Sequence, residues 1–186
     1  MLAFEFAFLG LWAIWIAYWI ASAWGNKRAA GPIDPTWRII GLTAAVVLYL
    51  VIRAAPDVFN RPLLAPSAPR AVLGLLLTAL GLGWSIWARR ALGTNWSGTP
   101  MIKQDHELIQ RGPYAIVRHP IYTGLLLGIF GNCLARAHVS DVLIMFVVIV
   151  MLVVKLKIEE RLMQRQFPAA YPEYRRRTKA LIPYLF

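Results

Sequence analysis

The stretch VSDVLIMFVVIVMLVV, Val139 to Val154, carries one acid and no Lys or Arg. A run this apolar and this long reads as a helix through the hydrocarbon core of a bilayer, which is roughly 30 Å thick. Just ahead of it lies a shorter apolar run, Ile121 to Ala135, and the small gap between them predicts a tight helical hairpin. Three further runs lie upstream, at Phe4 to Trp24, Trp37 to Ala55 and Arg70 to Ala88. The expectation is therefore an all-α integral membrane protein of about five transmembrane helices, forming a single membrane domain over residues 1–186.

Composition agrees with this reading. The chain is 59% hydrophobic and 16% charged, more apolar than a soluble domain of 186 residues could hide in one core. Its net charge of +11 raises the question of nucleic acid. The basic residues cluster beside the apolar runs, however, where anionic headgroups and the positive-inside rule account for them, so membrane lipids are the expected partner. Glu5 and the lack of an early Lys or Arg do not suit a cleaved signal peptide, and the first run reads as a retained span.

Five spans imply two sides. One side receives Lys27, Arg28, Arg38, Arg89, Arg90, Lys103, Arg111, Arg118 and the eight basic residues from Lys155 to Lys179, sixteen of the twenty in the chain. The other keeps Arg53, Arg61, Arg70 and Arg136. This bias predicts a cytoplasmic long loop and C-terminus, with the N-terminus outside. In the first run, Trp12, Trp15, Tyr18, Trp19 and Trp24 are expected to act as interface anchors after which Gly25-Asn26-Lys27-Arg28 stops the helix.

Between Leu92 and Gly124 the sequence is LGTNWSGTPMIKQDHELIQRGPYAIVRHPIYTG, too polar to face lipid and too rich in His, Tyr and Arg for a plain connector. Loops this long are functional or disordered, and Trp96, Ile102, Leu108, Ile109, Tyr114 and Ile116 argue against disorder. Arg118-His119-Pro120 places a histidine at the membrane boundary with proline at the first turn of a helix. His106, His119 and His138 are scattered and Cys133 lies in an apolar run, so no metal-ligand spacing is present and Cys133 reads as packing. Asn95-Trp96-Ser97 matches a glycosylation sequon but falls on the expected cytoplasmic side. Gly124, Gly128 and Gly131 line one stripe of a helix, where another helix can approach closely. Past the last span, Lys155 and Glu159 share a helix face, and Glu159-Glu160 are two acids in a basic tail beside the His-containing loop.

The ordered set His106-x-Leu108-Ile109, Gly112-x-Tyr114, Arg118-His119-Pro120-x-Tyr122, Glu159-Glu160, Phe167, Tyr171, Tyr174 and Leu181-Ile182-Pro183 resembles the isoprenylcysteine carboxyl methyltransferase family and its bacterial relatives, which are also similar to membrane phospholipid methyltransferases. The resemblance covers about Leu92 to the C-terminus, making residues 91–186 a methyltransferase-like region behind three N-terminal spans in residues 1–90. It implies S-adenosylmethionine in a cytoplasmic pocket, with His106, Glu107, Leu108, Ile109, Tyr114, His119, Pro120, Ile121, Tyr122 and Glu159 lining the cofactor site, and a bacterial inner membrane as the setting. The family has an arginine four residues before the glutamate, associated with the methyl-accepting carboxylate. Here that position is Lys155, a point charge in place of a bidentate fork.

The expected reaction is methyl transfer to a lipophilic or small acceptor, first of all a carboxylate as in prenylcysteine O-methylation, with Lys155, Glu159 and His119 as the catalytic set. A carboxylate needs no general base at neutral pH, and a dry pocket favours the loss of two opposite charges. A thiol or phospholipid amine as acceptor would require one, from His119 or Glu160. Two other classes compete: an NADPH-dependent membrane reductase of the sterol reductase type, using Arg111, Arg118 and Arg175 to Arg177 for phosphate, and a non-catalytic membrane scaffold.

Overall fold

The computed structural model describes residues 2–24, 26–29, 36–101 and 104–183. Gly25, Ile102 and Lys103, which figure in the sequence reading, lie outside the described residues. The architecture is all-helical: α1 (Leu2–Ala21), α2 (Thr36–Ala54), the single turn α3 (Pro56–Phe59), α4 (Ala68–Leu92), α5 (Pro120–Arg136), α6 (Val139–Gln166) and α7 (Ala170–Arg177). Among the described residues four helices, α1, α2, α4 and α6, are long and apolar enough to cross a membrane. The chain is thus a helical membrane protein. α5 has 17 residues, a length of about 25 Å at the helical rise.

The core of the bundle is the antiparallel pair α4 and α5. Its seam is built from small residues on both sides: a Cβ placed on Gly81 would fall 2.5 Å from the Gly124 carbonyl oxygen, and one on Gly131 would fall 2.5 Å from the Gly74 carbonyl oxygen. Backbones that touch this closely leave no room for side chains, the small-residue packing expected of the glycine stripe. Thr78, fully buried, donates its hydroxyl to the Gly128 carbonyl at 3.0 Å across the seam. In hydrocarbon such a bond replaces no water contact, which is how polar residues hold membrane helices together.

Helix boundaries follow local chemistry. Proline at the first turn starts α4 and α5, where a missing N–H costs nothing. Ala137 in the left-handed conformation ends α5, and the Asp141 carboxylate accepts the His138 backbone N–H at 2.8 Å to open α6 directly after it. The expected hairpin is therefore present. α6 does not stop near Val154 but continues for three more turns to Gln166, so Lys155, Glu159 and Glu160 stand on the same rigid rod as the apolar run. Hydropathy marks where lipid ends, not where the helix ends.

α1 leans on α4. The Trp15 indole N–H donates to the Ser85 hydroxyl at 2.6 Å, Trp19 stacks on Trp15 at 4.4 Å, and Trp96 meets Trp19 edge-on at 5.9 Å. Trp15 and Trp19, both half-buried, thus form an aromatic ladder between α1 and the turn after α4. Arg89, read from sequence as a positive-inside charge, is internal. Its guanidinium donates to the Ser22 and Gly93 carbonyls and to Asn26 Oδ1, and lies 4.8 Å over the Trp96 ring.

Candidate functional site

The C-terminal ends of α1, α4 and α6 meet the start of α5 at one end of the bundle. Lys27, after α1, reaches into the long loop, donating to Asn95 Oδ1 at 3.2 Å and pairing with Glu107 at 2.8 Å. Backbone bonds from Arg118 to Lys179 and from His119 to Ala180, at 2.8 and 2.9 Å, lay the last described segment beside the motif that starts α5. Tyr174 donates its hydroxyl to the Tyr114 carbonyl at 2.7 Å, fixing the loop from the other side. Lys27, Arg118 and Lys179 thus share one end of the molecule.

Inside this end is a cavity of about 140 Å³. His106, Tyr114, His119, Ile121, Tyr122, Lys155 and Glu159 line it, bringing together seven positions chosen from sequence. Pro120 is buried in the first turn of α5, and Leu108 and Ile109 are half-buried beside the loop, none of them on the cavity wall. Glu107 points outward to its ion pair with Lys27, whose hydrogen bond and charge hold its carboxyl below the usual range. Its role in the structure is to tie the loop to α1.

Glu159 is the hub. The Tyr122 hydroxyl lies 2.7 Å from both of its carboxylate oxygens, His119 Nδ1 is 3.6 Å away, and Lys155 Nζ, one turn back on α6, is 3.8 Å away. The His119 ring stacks on Tyr122, nearly coplanar at 5.4 Å, and its Nε2 faces Glu160 Oε1 at 3.6 Å. Glu160 is held by Arg118 Nε at 2.7 Å, and Arg118 also donates to the Thr178 carbonyl. Burial disfavours a charged His119, but the carboxylates of Glu159 and Glu160 on either side outweigh it and raise its pKa above the ordinary value. The imidazole thus sits between two carboxylates.

Leu92, Asn95, Trp96, Ser97, Thr99, Met101, Arg118, Leu162 and Met163 complete the wall. Leu92 and Trp96 supply apolar surface from the end of α4 and the turn after it, and Leu162 and Met163 do so from α6. Lys155 Nζ donates to the Gly98 carbonyl at 3.0 Å, so a site residue ties down the segment Ser97–Met101, of which Ser97, Thr99 and Met101 line the cavity. Thr99 is 2% exposed and its hydroxyl has no hydrogen-bond partner among the described residues. A buried polar atom without a partner on the wall of a cavity is a place where a ligand can bond. The sequence carried no signal for Thr99, because nothing local sets it apart from other loop hydroxyls.

An all-helical membrane protein with a charged, apolar-walled cavity at one end of its bundle is the class that fold and site define. Comparison with known families makes it specific: residues 69–170, more than half of the chain, match the family model for phospholipid methyltransferase, and the chain belongs to that family. The match begins inside α4, ahead of the Leu92 boundary taken from motifs, so α4 and its seam with α5 fall within the matched region. The chain is similar to the protein-S-isoprenylcysteine O-methyltransferase of Saccharomyces cerevisiae, 31% identical over 117 residues covering 61% of this chain and 49% of that protein. It is also similar to the cobalt-zinc-cadmium resistance protein CzcN of Cupriavidus metallidurans, 31% identical over 113 residues, 60% of this chain and 50% of that one. The nickel-cobalt-cadmium resistance protein NccN of Alcaligenes xylosoxydans xylosoxydans is 25% identical over 150 residues, 80% of this chain and 63% of its own length. The matched regions span about half the length of the first two relatives.

Proposed function

We propose that this chain is an integral membrane methyltransferase that crosses the bilayer five times, with α5 as the fourth span, and moves a methyl group from S-adenosylmethionine to the carboxylate of a lipophilic acceptor. The observation that carries this reading is the pairing of Glu159 and Lys155 in one cavity, an acid and an amine 3.8 Å apart at the membrane boundary, inside a family whose model is described as phospholipid methyltransferase. The charged face holding the cavity is assigned to the cytoplasm by the excess of basic residues, and the N-terminus to the outside.

The donor set suits the cofactor. Glu159 offers a fixed carboxylate to a cationic group, the Thr99 hydroxyl is unpartnered among the described residues, and Trp96, Leu162 and Met163 give apolar surface. Ile121 and Tyr114 close the wall behind them. When bound, S-adenosylmethionine supplies an electrophilic methyl group on a sulfonium. About 140 Å³ is small beside the roughly 300–1,000 Å³ of small-molecule sites, so the cavity must widen for loading. Breaking the Lys155 bond to Gly98 would free both the amine and the segment Ser97–Met101.

The chain's own residues then have distinct tasks. Lys155, freed from Gly98, orients the acceptor carboxylate, and the neighbouring apolar side chains exclude water so that opposite charges attract strongly. Tyr122 holds Glu159 in one rotamer through its 2.7 Å contacts. His119, between Glu159 and Glu160, is a positioning residue. A carboxylate acceptor needs no proton removed, whereas a thiol or amine acceptor would call on a base. Thermal stabilisation by S-adenosylhomocysteine and not by NADPH is the expected result with the purified protein. Stabilisation by NADPH alone would replace the methyltransferase reading with the reductase one.

A further inference from the structure

A second cavity, of about 720 Å³, lies at the opposite end of the bundle. Glu5 in the first turn of α1, Arg70 in the first turn of α4, Arg136 in the last turn of α5 and His138 at the start of α6 all line it. Along α4, Ala71 lines this cavity and Leu92 lines the other, a separation of about 30 Å at the helical rise and close to the thickness of a hydrocarbon core. On the five-span reading proposed above, the second cavity falls at the headgroup level of the opposite leaflet.

Its charges are unequally used. Asp141, buried behind the wall, is shared by Arg136 Nε at 3.5 Å and His138 Nδ1 at 3.6 Å. Arg70 has a buried Nε with no hydrogen-bond partner and makes no ion pair among the described residues. Glu5 lines the same space and makes no ion pair among the described residues. One cation and one anion thus line a shared cavity without a direct ion pair between them. Phe4, Phe8 and Leu64 give the cavity an apolar wall, and the exposed Phe6, Leu9 and Leu73 nearby on α1 and α4 present apolar surface suited to acyl chains.

We infer that this cavity binds a zwitterionic lipid headgroup, with its phosphate on Arg70 and its ammonium on Glu5. An arginine fork suits a phosphate and a carboxylate suits an ammonium, while a purely anionic headgroup would meet Glu5 at close quarters. The site is separate from the methyl-transfer cavity and does not depend on it.

The test is lipid retention by the full-length protein in native mass spectrometry, after exchange into detergent with phosphatidylethanolamine, phosphatidylglycerol or soluble phosphoethanolamine. The wild type is expected to keep one phosphatidylethanolamine with roughly tenfold preference over phosphatidylglycerol. Arg70→Gln should lose that lipid, Arg70→Lys should keep it in part, and Glu5→Gln should reverse the preference towards phosphatidylglycerol. Unfolding midpoints measured without lipid control for folding, and Arg70→Lys serves if Arg70→Gln does not fold. Equal retention of both lipids by the wild type, or an unchanged preference in Glu5→Gln, would overturn the inference. Binding of soluble phosphoethanolamine as tight as that of the lipid would overturn the assignment to a membrane lipid.

Discussion

Removing a single oxygen from Tyr122 tests the organisation of the cavity most cleanly. In Tyr122→Phe the ring still stacks on His119 at its 5.4 Å spacing, and only the hydroxyl that reaches both Glu159 oxygens at 2.7 Å is lost. A hydrogen bond to a charged group contributes about 1.5–3 kcal/mol, and the carboxylate then rotates between its contacts with His119 and Lys155. If Glu159 must be held to receive the cofactor, most of that energy appears in binding, and about 1.5 kcal/mol corresponds to roughly tenfold weaker affinity. The assay is equilibrium binding of S-adenosylhomocysteine to purified protein, with the unfolding midpoint measured in parallel. Thr78→Val is the control, because it removes a buried bond of 3.0 Å from the α4–α5 seam, away from the cavity. Tyr122→Phe should lose affinity with little loss of stability, and Thr78→Val should do the reverse. Wild-type affinity in Tyr122→Phe, or equal losses of affinity in both, would refute the role given to Glu159.

Further outcomes follow from the seam, the histidine and the motif arginine. Gly81→Ala should lower the unfolding midpoint sharply, since its Cβ would fall 2.5 Å from backbone atoms of Gly124 and Gly128, whereas Gly83→Ala, with open space around it, should leave stability unchanged or gain up to about 1 kcal/mol. Because the folded pKa of His119 is raised, its stabilising effect is complete below the ordinary value of 6.5 and is lost as pH rises through the folded value. The difference in unfolding midpoint between wild type and His119→Gln should therefore shrink from mildly acid to alkaline pH. Arg118→Gln removes the 2.7 Å bond to Glu160 and the bond to the Thr178 carbonyl, and should expose the segment after α7 to limited proteolysis at a protease dose the wild type survives.

What the sequence showed and what it hid divide along a physical line. The glycine stripe of α5, the hairpin after Arg136 and the shared face of Lys155 and Glu159 are local, set by residue type and by helical spacing, and were legible. That Arg118-His119-Pro120 and Glu159-Glu160 would meet was legible because acids and histidine beside a membrane call for partners. The unread parts are long-range. Arg89 looked like an interfacial charge because nothing adjacent shows that Ser22, Asn26 and Trp96 converge on it. The partner of Glu107 was hidden in the same way, because Lys27 lies eighty residues earlier. The continuation of α6 was legible as far as Glu159, from its spacing to Lys155, but its end at Gln166 was not, because polarity alone does not distinguish a helix from a tail.

The account stands or falls on where the methyl group goes. With isotope-labelled S-adenosylmethionine and purified protein in lipid, label should move to a prenylated cysteine bearing a free carboxylate as a base-labile ester, and not to the same compound with its carboxylate blocked. Lys155→Ala should abolish transfer and Lys155→Arg should retain it. Label appearing only on a thiol or an aminophospholipid, or undiminished transfer by Lys155→Ala, would contradict the account.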